Sequence, residues 1–252
     1  SFDRAKISFQ DISECKKILK RYPMHVFSHF PYIANLAGSV ASLAWSGDEN
    51  QDRKTSYILK SLEYELSVLS NFTKSRSGVV IHPGSFKDKK KGLAAISQSI
   101  NKINFTPGSK LILENASGQG TALATTFEEI KTIIDGVEEG KKDHIGVCID
   151  TCHIFAYGGY DLSKIEEIDR MFTEFDKIIG LDRLTLIHLN DSETKLHGKV
   201  DRHACLGTGH IWSKDFESLK YLMKRCSNLH IPAVLETHGM DMITLSILRK
   251  DV

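Results

Sequence analysis

The stretch Ile-Gly-Val-Cys-Ile-Asp-Thr-Cys-His, residues 145–153, places a short apolar run directly before a carboxylate and an imidazole. The run Ile145–Asp150 has the length and composition of a buried strand in a parallel sheet, and it ends on a polar residue. Five further runs share these properties: Met24–His29, Gly78–His82, Lys110–Glu114, Leu184–Asn190 and Ala233–Glu236. The pattern therefore predicts six parallel strands.

Segments with helical periodicity separate these runs. They are Asp11–Lys20, Asp52–Asn71, Lys90–Asn101, Thr126–Glu139, Ser163–Ile179, Lys214–Cys226 and Met242–Leu248. In the first of them, Asp11 and Glu14 have the spacing of a capping box. Strands that alternate with helices indicate an α/β fold in which outer helices cover a parallel sheet.

Six predicted strands are two fewer than the eight of a closed TIM (β/α)8-type barrel. We therefore expect the first strands of the barrel to be missing before Ser1, with Ala5–Phe9 as a remnant of one. No linker, repeat or low-complexity segment divides the chain, so residues 1–252 are interpreted as a single, N-terminally incomplete barrel domain.

The composition is that of an ordinary globular domain, with 41% hydrophobic and 26% charged residues. No apolar run approaches the roughly 20 residues of a membrane helix, and no leader or lipidation signal is visible. The five cysteines are scattered, which favours an intracellular, reducing compartment such as cytoplasm, nucleus or virion. The net charge of +1 means that any nucleic-acid partner would be bound through a local basic patch.

Polar residues occur at or near the carboxyl ends of all six predicted strands. They are His29, His82, Glu114, Asp150, His188 and Glu236. In a parallel barrel these ends meet on one face, where active sites lie. His153 follows Asp150 by three positions, and Asp201 and His203 lie two positions apart in an extended segment.

These imidazoles and carboxylates suit Zn, Mn or another divalent ion. Nine donors exceed the roughly four that one zinc ion needs, so the sequence predicts two or three ions. Clustered divalent ions are the usual device for phosphodiester hydrolysis. Since a glutamate has two carboxylate oxygens, it is the natural residue to bridge two ions.

Several of these residues have simpler interpretations. His82 precedes Pro83-Gly84 and could be a turn residue, Glu114 could cap a turn, Asp150 could cap a helix, and His29 could be structural. Cys148 and Cys152 could be alternative ligands. The alternation of the strand instead places Cys148 one layer below Asp150, in the core.

Four segments together resemble the endonuclease IV family of apurinic/apyrimidinic endonucleases. They are Leu113–Gly120 (Leu-Glu-Asn-Ala-Ser-Gly-Gln-Gly), Gly146–His153, His188–Asp191 (His-Leu-Asn-Asp) and Val200–His203 (Val-Asp-Arg-His). The resemblance extends from about His29 to Glu236. It implies a TIM-type barrel that holds three zinc ions per chain.

The resemblance also implies a ligand set for each ion. The first ion would take His29, His82 and Glu114, and Glu114 would bridge to the second, which also takes Asp150, His188 and Glu236. The third would take His153, Asp201 and His203. Glu114 and Glu236 would serve in catalysis.

The implied reaction is hydrolysis of the phosphodiester 5′ to an abasic site in double-stranded DNA, leaving a 3′-hydroxyl and a 5′-deoxyribose phosphate, with trimming of blocked 3′ ends. The enzyme would act as a monomer.

Tyr32 and Ile33 match the residues that relatives push into the duplex, although Phe30-Pro31 before them departs from the family pattern. Arg202 and Lys87 are candidates for contact with the DNA backbone. The family's first DNA-contacting loop lies before the position where Ser1 would align. The resemblance therefore assigns its role to no residue of this sequence.

Two other functions fit parts of the pattern. A sugar isomerase or epimerase of the xylose-isomerase-like type shares the barrel and the strand-end ligands. It needs one or two ions, which would leave His153, Asp201 and His203 without a purpose. A catalytically idle DNA-binding scaffold would leave carboxylates to repel one another in a cleft.

Overall fold

The computed structural model describes residues 7–22, 24–41, 49–72, 77–214 and 216–237. Six parallel strands form one sheet, in the order β1-β2-β3-β4-β5-β8, while β6 and β7 form a separate antiparallel pair. The strands are β1 (Phe27–His29), β2 (Gly78–Ile81), β3 (Leu111–Glu114), β4 (Ile145–Asp150), β5 (Leu184–His188), β6 (Asp191–Ser192), β7 (His203–Ala204) and β8 (Ala233–Val234). The prediction of six parallel strands is confirmed.

Helices connect successive strands of the sheet, as expected for a barrel of the TIM type. They are α1 (Phe9–Arg21), α2 (Leu36–Ala41), α3 (Glu49–Leu69), α4 (Lys89–Asn101), α5 (Phe127–Asp135), α6 (Thr151–Tyr157), α7 (Ile165–Ile178) and α8 (Glu217–Asn228), with 3-10 turns at Ser70–Phe72, Glu139–His144 and Leu181–Arg183. No helix in the described ranges is long and apolar enough to cross a membrane.

The start of the chain differs from the prediction. Phe9 opens α1 instead of closing a strand. Ser8 is the N-cap, because its hydroxyl accepts the backbone N–H of Asp11, and the carboxylate of Asp11 accepts the N–H of Ser8 in return. Asp11 is therefore the third residue of the helix and not its cap. The predicted helix Met242–Leu248 lies outside the described residues.

Two further differences from the prediction have local causes. The predicted helix from Thr126 ends at Asp135, where Gly136 caps it and a separate 3-10 turn follows. The short helix α6 was not predicted. It begins directly at the end of β4, with Asp150 as its N-cap, and ends at Gly158, whose φ of +90° only glycine adopts easily.

The inner face of the sheet carries an apolar layer just below the strand ends. Val80, Ile112, Cys148 and Leu186 come from four neighbouring strands and pack together, each at most 1% exposed. This confirms that Cys148 belongs to the core. The layer forms a rigid, water-free floor beneath the polar residues that end the same strands.

Asp191 fixes the antiparallel pair that follows β5. Its side chain is fully buried, and its two carboxylate oxygens accept four backbone N–H groups, those of Ser192, Gly207, Gly209 and Ile211, at 2.8–3.1 Å. A β-carbon at Gly209 would come within 2.5 Å of the Asp191 carboxylate, so this close approach requires glycine. Asp191 thereby holds the loop that follows His203.

We expect Asp191→Asn to destabilise the protein by about 2–3 kcal/mol, because its amide N–H₂ would face backbone N–H donors where an oxygen now accepts them. Urea denaturation followed by circular dichroism measures the change. Asp143→Asn, at an exposed position, is the matched control. Equal midpoints for the two variants would contradict this account of the loop.

Candidate metal centre

The carboxyl ends of the strands bring the predicted donors together on one face. His29, Glu114, Asp150 and His188 are the last residues of β1, β3, β4 and β5, and His82 directly follows β2. Glu236 lies two residues beyond β8. His153 comes from the first turn of α6, Asp201 precedes β7 and His203 begins it.

Glu114 is the centre of the first group. Its Oε2 lies 3.0 Å from Nε2 of His29 and 3.4 Å from Nε2 of His82, while its Oε1 lies 2.8 Å from Nδ1 of His188. The carboxylate is 0% exposed. The simpler interpretation of Glu114 as a turn cap is therefore wrong, because three imidazoles surround its oxygens.

The ring of His29 bridges a backbone carbonyl and Glu114. Its Nδ1 lies 2.9 Å from the carbonyl oxygen of Phe30, which can only accept, so Nδ1 carries the hydrogen. In the neutral ring, Nε2 then presents a lone pair to a carboxylate oxygen 3.0 Å away. Two acceptors at this distance need a proton or a cation between them.

A second group, formed by His153, Asp201 and His203, shows the same feature more strongly. The Nδ1 of His153 lies 2.9 Å from the carbonyl oxygen of Asn115, so in the neutral, metal-binding form of the ring its Nε2 presents a lone pair. That Nε2 lies 2.9 Å from Oδ1 of Asp201 and 3.3 Å from Nε2 of His203, and the last two atoms are 3.4 Å apart. Three donor atoms thus converge on one point.

These spacings fit zinc. Tetrahedral zinc with bonds of about 2.0–2.1 Å to nitrogen and oxygen separates its ligand atoms by roughly 3.3–3.4 Å. The separations of 2.9–3.4 Å within the second group lie close to that value. His29, His82 and Glu114 likewise offer three ligand atoms within 4.8 Å of one another, as do His29, His188 and Glu236.

Asp150 and Glu236 lie between these groups. The Oδ2 of Asp150 is 3.6 Å from Nε2 of His203, and the Oε2 of Glu236 is 3.2 Å from Nδ1 of His188 and 3.9 Å from Nδ1 of His203. Asp150 also caps α6, because its Oδ1 accepts the backbone N–H of His153 at 2.7 Å. The two interpretations of Asp150, as a cap and as a donor of the centre, are compatible.

The electrostatics of the centre favour a bound cation. Burial acts to lower the pKa of His153, but the carboxylates of Asp150, Asp201 and Glu114 outweigh it and raise that pKa to about 10. Burial acts to raise the pKa of Glu114, but the imidazoles of His188 and His82 hold it well below its usual range. Without a metal, the site therefore draws protons onto its imidazoles, and a metal ion would have to displace them.

The two cysteines near the centre are buried. Burial raises the pKa of Cys148 to about 12, and it raises that of Cys152 as well. The thiol of Cys152 lies 3.4 Å from the carbonyl oxygen of Arg202 and donates to it. Both thiols also lie near donors of the centre, Cys148 beside Glu114 and His188 and Cys152 beside Asp150 and His203. Their burial, and for Cys148 its packing in the apolar layer, favour the core interpretation.

The predicted DNA-contacting residues lie around this face. Tyr32 and Ile33 are 63% and 71% exposed, and the Tyr32 ring contacts that of His82 edge-on at 4.9 Å between centroids. Arg202 is exposed and lies between the donors Asp201 and His203. Lys87 is exposed five residues beyond His82.

The sequence of residues 2–241 matches the family described as xylose isomerase-like TIM barrels. A probable endonuclease 4 from Chlorobium phaeovibrioides is 36% identical over 220 residues, which are 84% of this chain and 71% of that protein. The chain belongs to the endonuclease IV family.

Solved structures agree on the fold. Endonuclease IV from Thermus thermophilus has a TM-score of 0.75 at 24% identity, over 99% of this chain and 84% of that one. A D-tagatose 3-epimerase-like protein has a TM-score of 0.65 at 17% identity, over 97% of this chain and 82% of that one. The endonuclease IV family therefore shares its barrel with proteins named for sugar chemistry.

The sequence pattern did not identify Asn115 and Asn190, two asparagines that position donors of the metal centre. Asn190 donates to Oδ2 of Asp150 at 2.7 Å and to Oε2 of Glu236 at 2.9 Å, and its Oδ1 accepts the N–H of Glu236. The Oδ1 of Asn115 accepts the N–H of Asp150 at 2.7 Å, and its carbonyl orients His153. Both lie within the quoted motifs, next to Glu114 and two residues after His188, which was the available signal.

We expect Asn190→Ala to weaken metal binding by about 10- to 100-fold, because the carboxylates of Asp150 and Glu236 would lose their shared donor. Competition with a chelator of known zinc affinity measures this. Asn228→Ala, at the exposed end of α8, is the control. Unchanged zinc affinity in Asn190→Ala would contradict the positioning role.

Proposed function

We propose that the chain is a metal-dependent DNA-repair endonuclease that hydrolyses the phosphodiester 5′ to an abasic site and leaves a 3′-hydroxyl and a 5′-deoxyribose phosphate. The observation that carries this proposal is the convergence of His153, Asp201 and His203 beside the donors at the strand ends. A single-ion site would have no use for this additional group. Membership of the endonuclease IV family supports the proposal.

The nine donors would hold three zinc ions. His29, His82 and Glu114 would hold the first, and His153, Asp201 and His203 the third. The second would take Glu114, Asp150, His188 and Glu236. When bound, the ions would supply positive charge and Lewis acidity that stabilise the charge developing on the phosphoryl oxygens.

Glu114 and Glu236 have different roles in this proposal. The side chain of Glu114 is 1% exposed and is surrounded by imidazoles, so it organises the centre and has no free oxygen for the substrate. The side chain of Glu236 is 25% exposed, and Asn190 holds one of its oxygens. Glu236 can therefore orient a water molecule from the open side and accept its proton.

Tyr32 and Ile33 would enter the duplex at the lesion. Both side chains are large, neighbouring and exposed, and the Tyr32 ring lies against His82, a donor of the centre, which favours contact with a partner at this place. An abasic nucleotide is easier to extrude than a normal one, since no base is unstacked. Arg202, between two donors, and Lys87 would contact phosphates of double-stranded DNA, and the same centre would trim blocked 3′ ends.

The first test is cleavage of a duplex with one abasic analogue. We expect a cut on its 5′ side with a 3′-hydroxyl product. Glu236→Gln should lower kcat by about 100-fold or more with little change in Kd for DNA, because the amide cannot accept a proton. Gels with end-labelled strands measure cleavage, and fluorescence anisotropy measures Kd. An intact duplex in zinc-replete buffer would contradict the proposed function.

The second test is metal content. Elemental analysis of the purified protein should give close to three zinc ions per chain, and Asp201→Ala should lose about one of them, since it removes one donor of a three-residue group. Asp143→Ala, at an exposed position, should retain all three.

The alternative function, a sugar isomerase or epimerase, gives the opposite result in this measurement. The fold that the chain shares with the D-tagatose 3-epimerase-like protein is the observation that favours this alternative. A content near one ion, with no loss in Asp201→Ala, would favour it.

A further inference from the structure

A cavity of about 260 Å³ lies beside the metal centre, and none of the nine donors lines it. Three loops that are far apart in the sequence form its wall: the one after His82, the glycine-rich one after Glu114, and the one before Asp201. Its lining residues include Phe86, Lys87, Lys89, Gly120, Tyr157 and Lys199.

The cavity is basic. Three lysines line it and no carboxylate does. Lys89 is neutralised by Glu129, whose Oε1 lies 2.5 Å from its ammonium group. Lys87 and Lys199 have no carboxylate partner among the described residues, so two uncompensated positive charges face one small cavity in a chain whose net charge is only +1.

Lys199 is held in an unfavourable backbone conformation. Its φ is +51°, a left-handed value that is costly for a residue with a β-carbon. The N–H of Lys199 donates to the carbonyl of Ala156 at 2.9 Å, and its ammonium group lies 5.8 Å from the centre of the Tyr157 ring. Strain of this kind often accompanies a functional site.

The glycine-rich loop leaves its backbone open to the cavity. Gly120 has a φ of +60°, and a β-carbon there would meet nothing within 4 Å. Gln119, the residue before it, accepts the backbone N–H of the metal-centre residue Asp201 on its Oε1 at 3.1 Å. The glycine-rich loop that lines the cavity is therefore hydrogen-bonded to the segment that carries Asp201.

We propose that this cavity binds one backbone phosphate of the DNA strand, next to the phosphate that is cleaved, through Lys87 and Lys199. The inference rests on the proposed function and adds a subsite to it. Lysine binds phosphate as a compact point charge, open glycine backbone permits close approach, and Phe86 and Tyr157 offer apolar surface to a deoxyribose. The volume admits a phosphate together with its sugar.

The test is a scan with neutral methylphosphonate linkages, one position at a time, along a duplex that carries an abasic analogue. For the wild-type protein, one position outside the scissile linkage should raise Kd by about tenfold. In Lys87→Gln/Lys199→Gln, Kd for the unmodified duplex should rise, the salt slope should fall by about one, and the same methylphosphonate should have no further effect. Lys199→Arg should restore part of the affinity.

Lys177→Gln/Lys224→Gln, at exposed positions of α7 and α8, removes the same number of positive charges from the outer helices and should behave as wild type. Melting temperatures for all variants exclude misfolding. If the wild-type protein cleaves the duplex but no methylphosphonate position couples to the two lysines, the subsite is wrong and the proposed function stands. If coupling is seen without cleavage, the proposed function is wrong and the phosphate site stands. If the wild-type protein does not bind the duplex, both are wrong.

Discussion

The buried carboxylate of Glu114 is the constraint on which the rest of the centre depends. A charge with no exposure to water is tolerated only among positive partners and donors. His29, His82 and His188 meet this need from three different strands, so the carboxyl ends of β1, β2, β3 and β5 must approach one another closely. The sheet has to curve for that approach to occur, and the apolar layer of Val80, Ile112, Cys148 and Leu186 supports the curvature from below.

The second group is held in a different way. His153 reaches the centre from the first turn of α6, and Asp201 and His203 reach it from the segment around β7. Asp150 connects the two arrangements, because one of its oxygens starts α6 while the other faces His203 and Asn190. The sheet therefore supplies six of the nine candidate donors at its strand ends, and the segments that follow β4 and β5 supply the other three.

The sequence predicted what depends on local pattern. Apolar runs that end on polar residues gave the six strands, and the barrel geometry then placed His29, Glu114 and Glu236 on one face. Asp150 could not be assigned uniquely, because a helix cap and a metal donor have the same signal. The short pair β6–β7 has only two residues a strand, which is too few to show a period. Asn115, Asn190 and Asp191 act through hydrogen bonds to residues distant in the sequence, and no spacing along the chain reveals such partners.

Asp191 holds the loop after His203 through backbone hydrogen bonds, so the side chains of that loop can change in evolution. Within the loop, the carboxylate binds only backbone N–H groups, at positions 207, 209 and 211, and the intervening side chains of Thr208 and His210 are exposed to solvent. Thr208 also lines the opening beside His203 and Glu236. Mutations at these two positions can therefore alter what meets an incoming substrate while the loop keeps its shape. A barrel with such loops can acquire new specificities in evolution without first losing its scaffold.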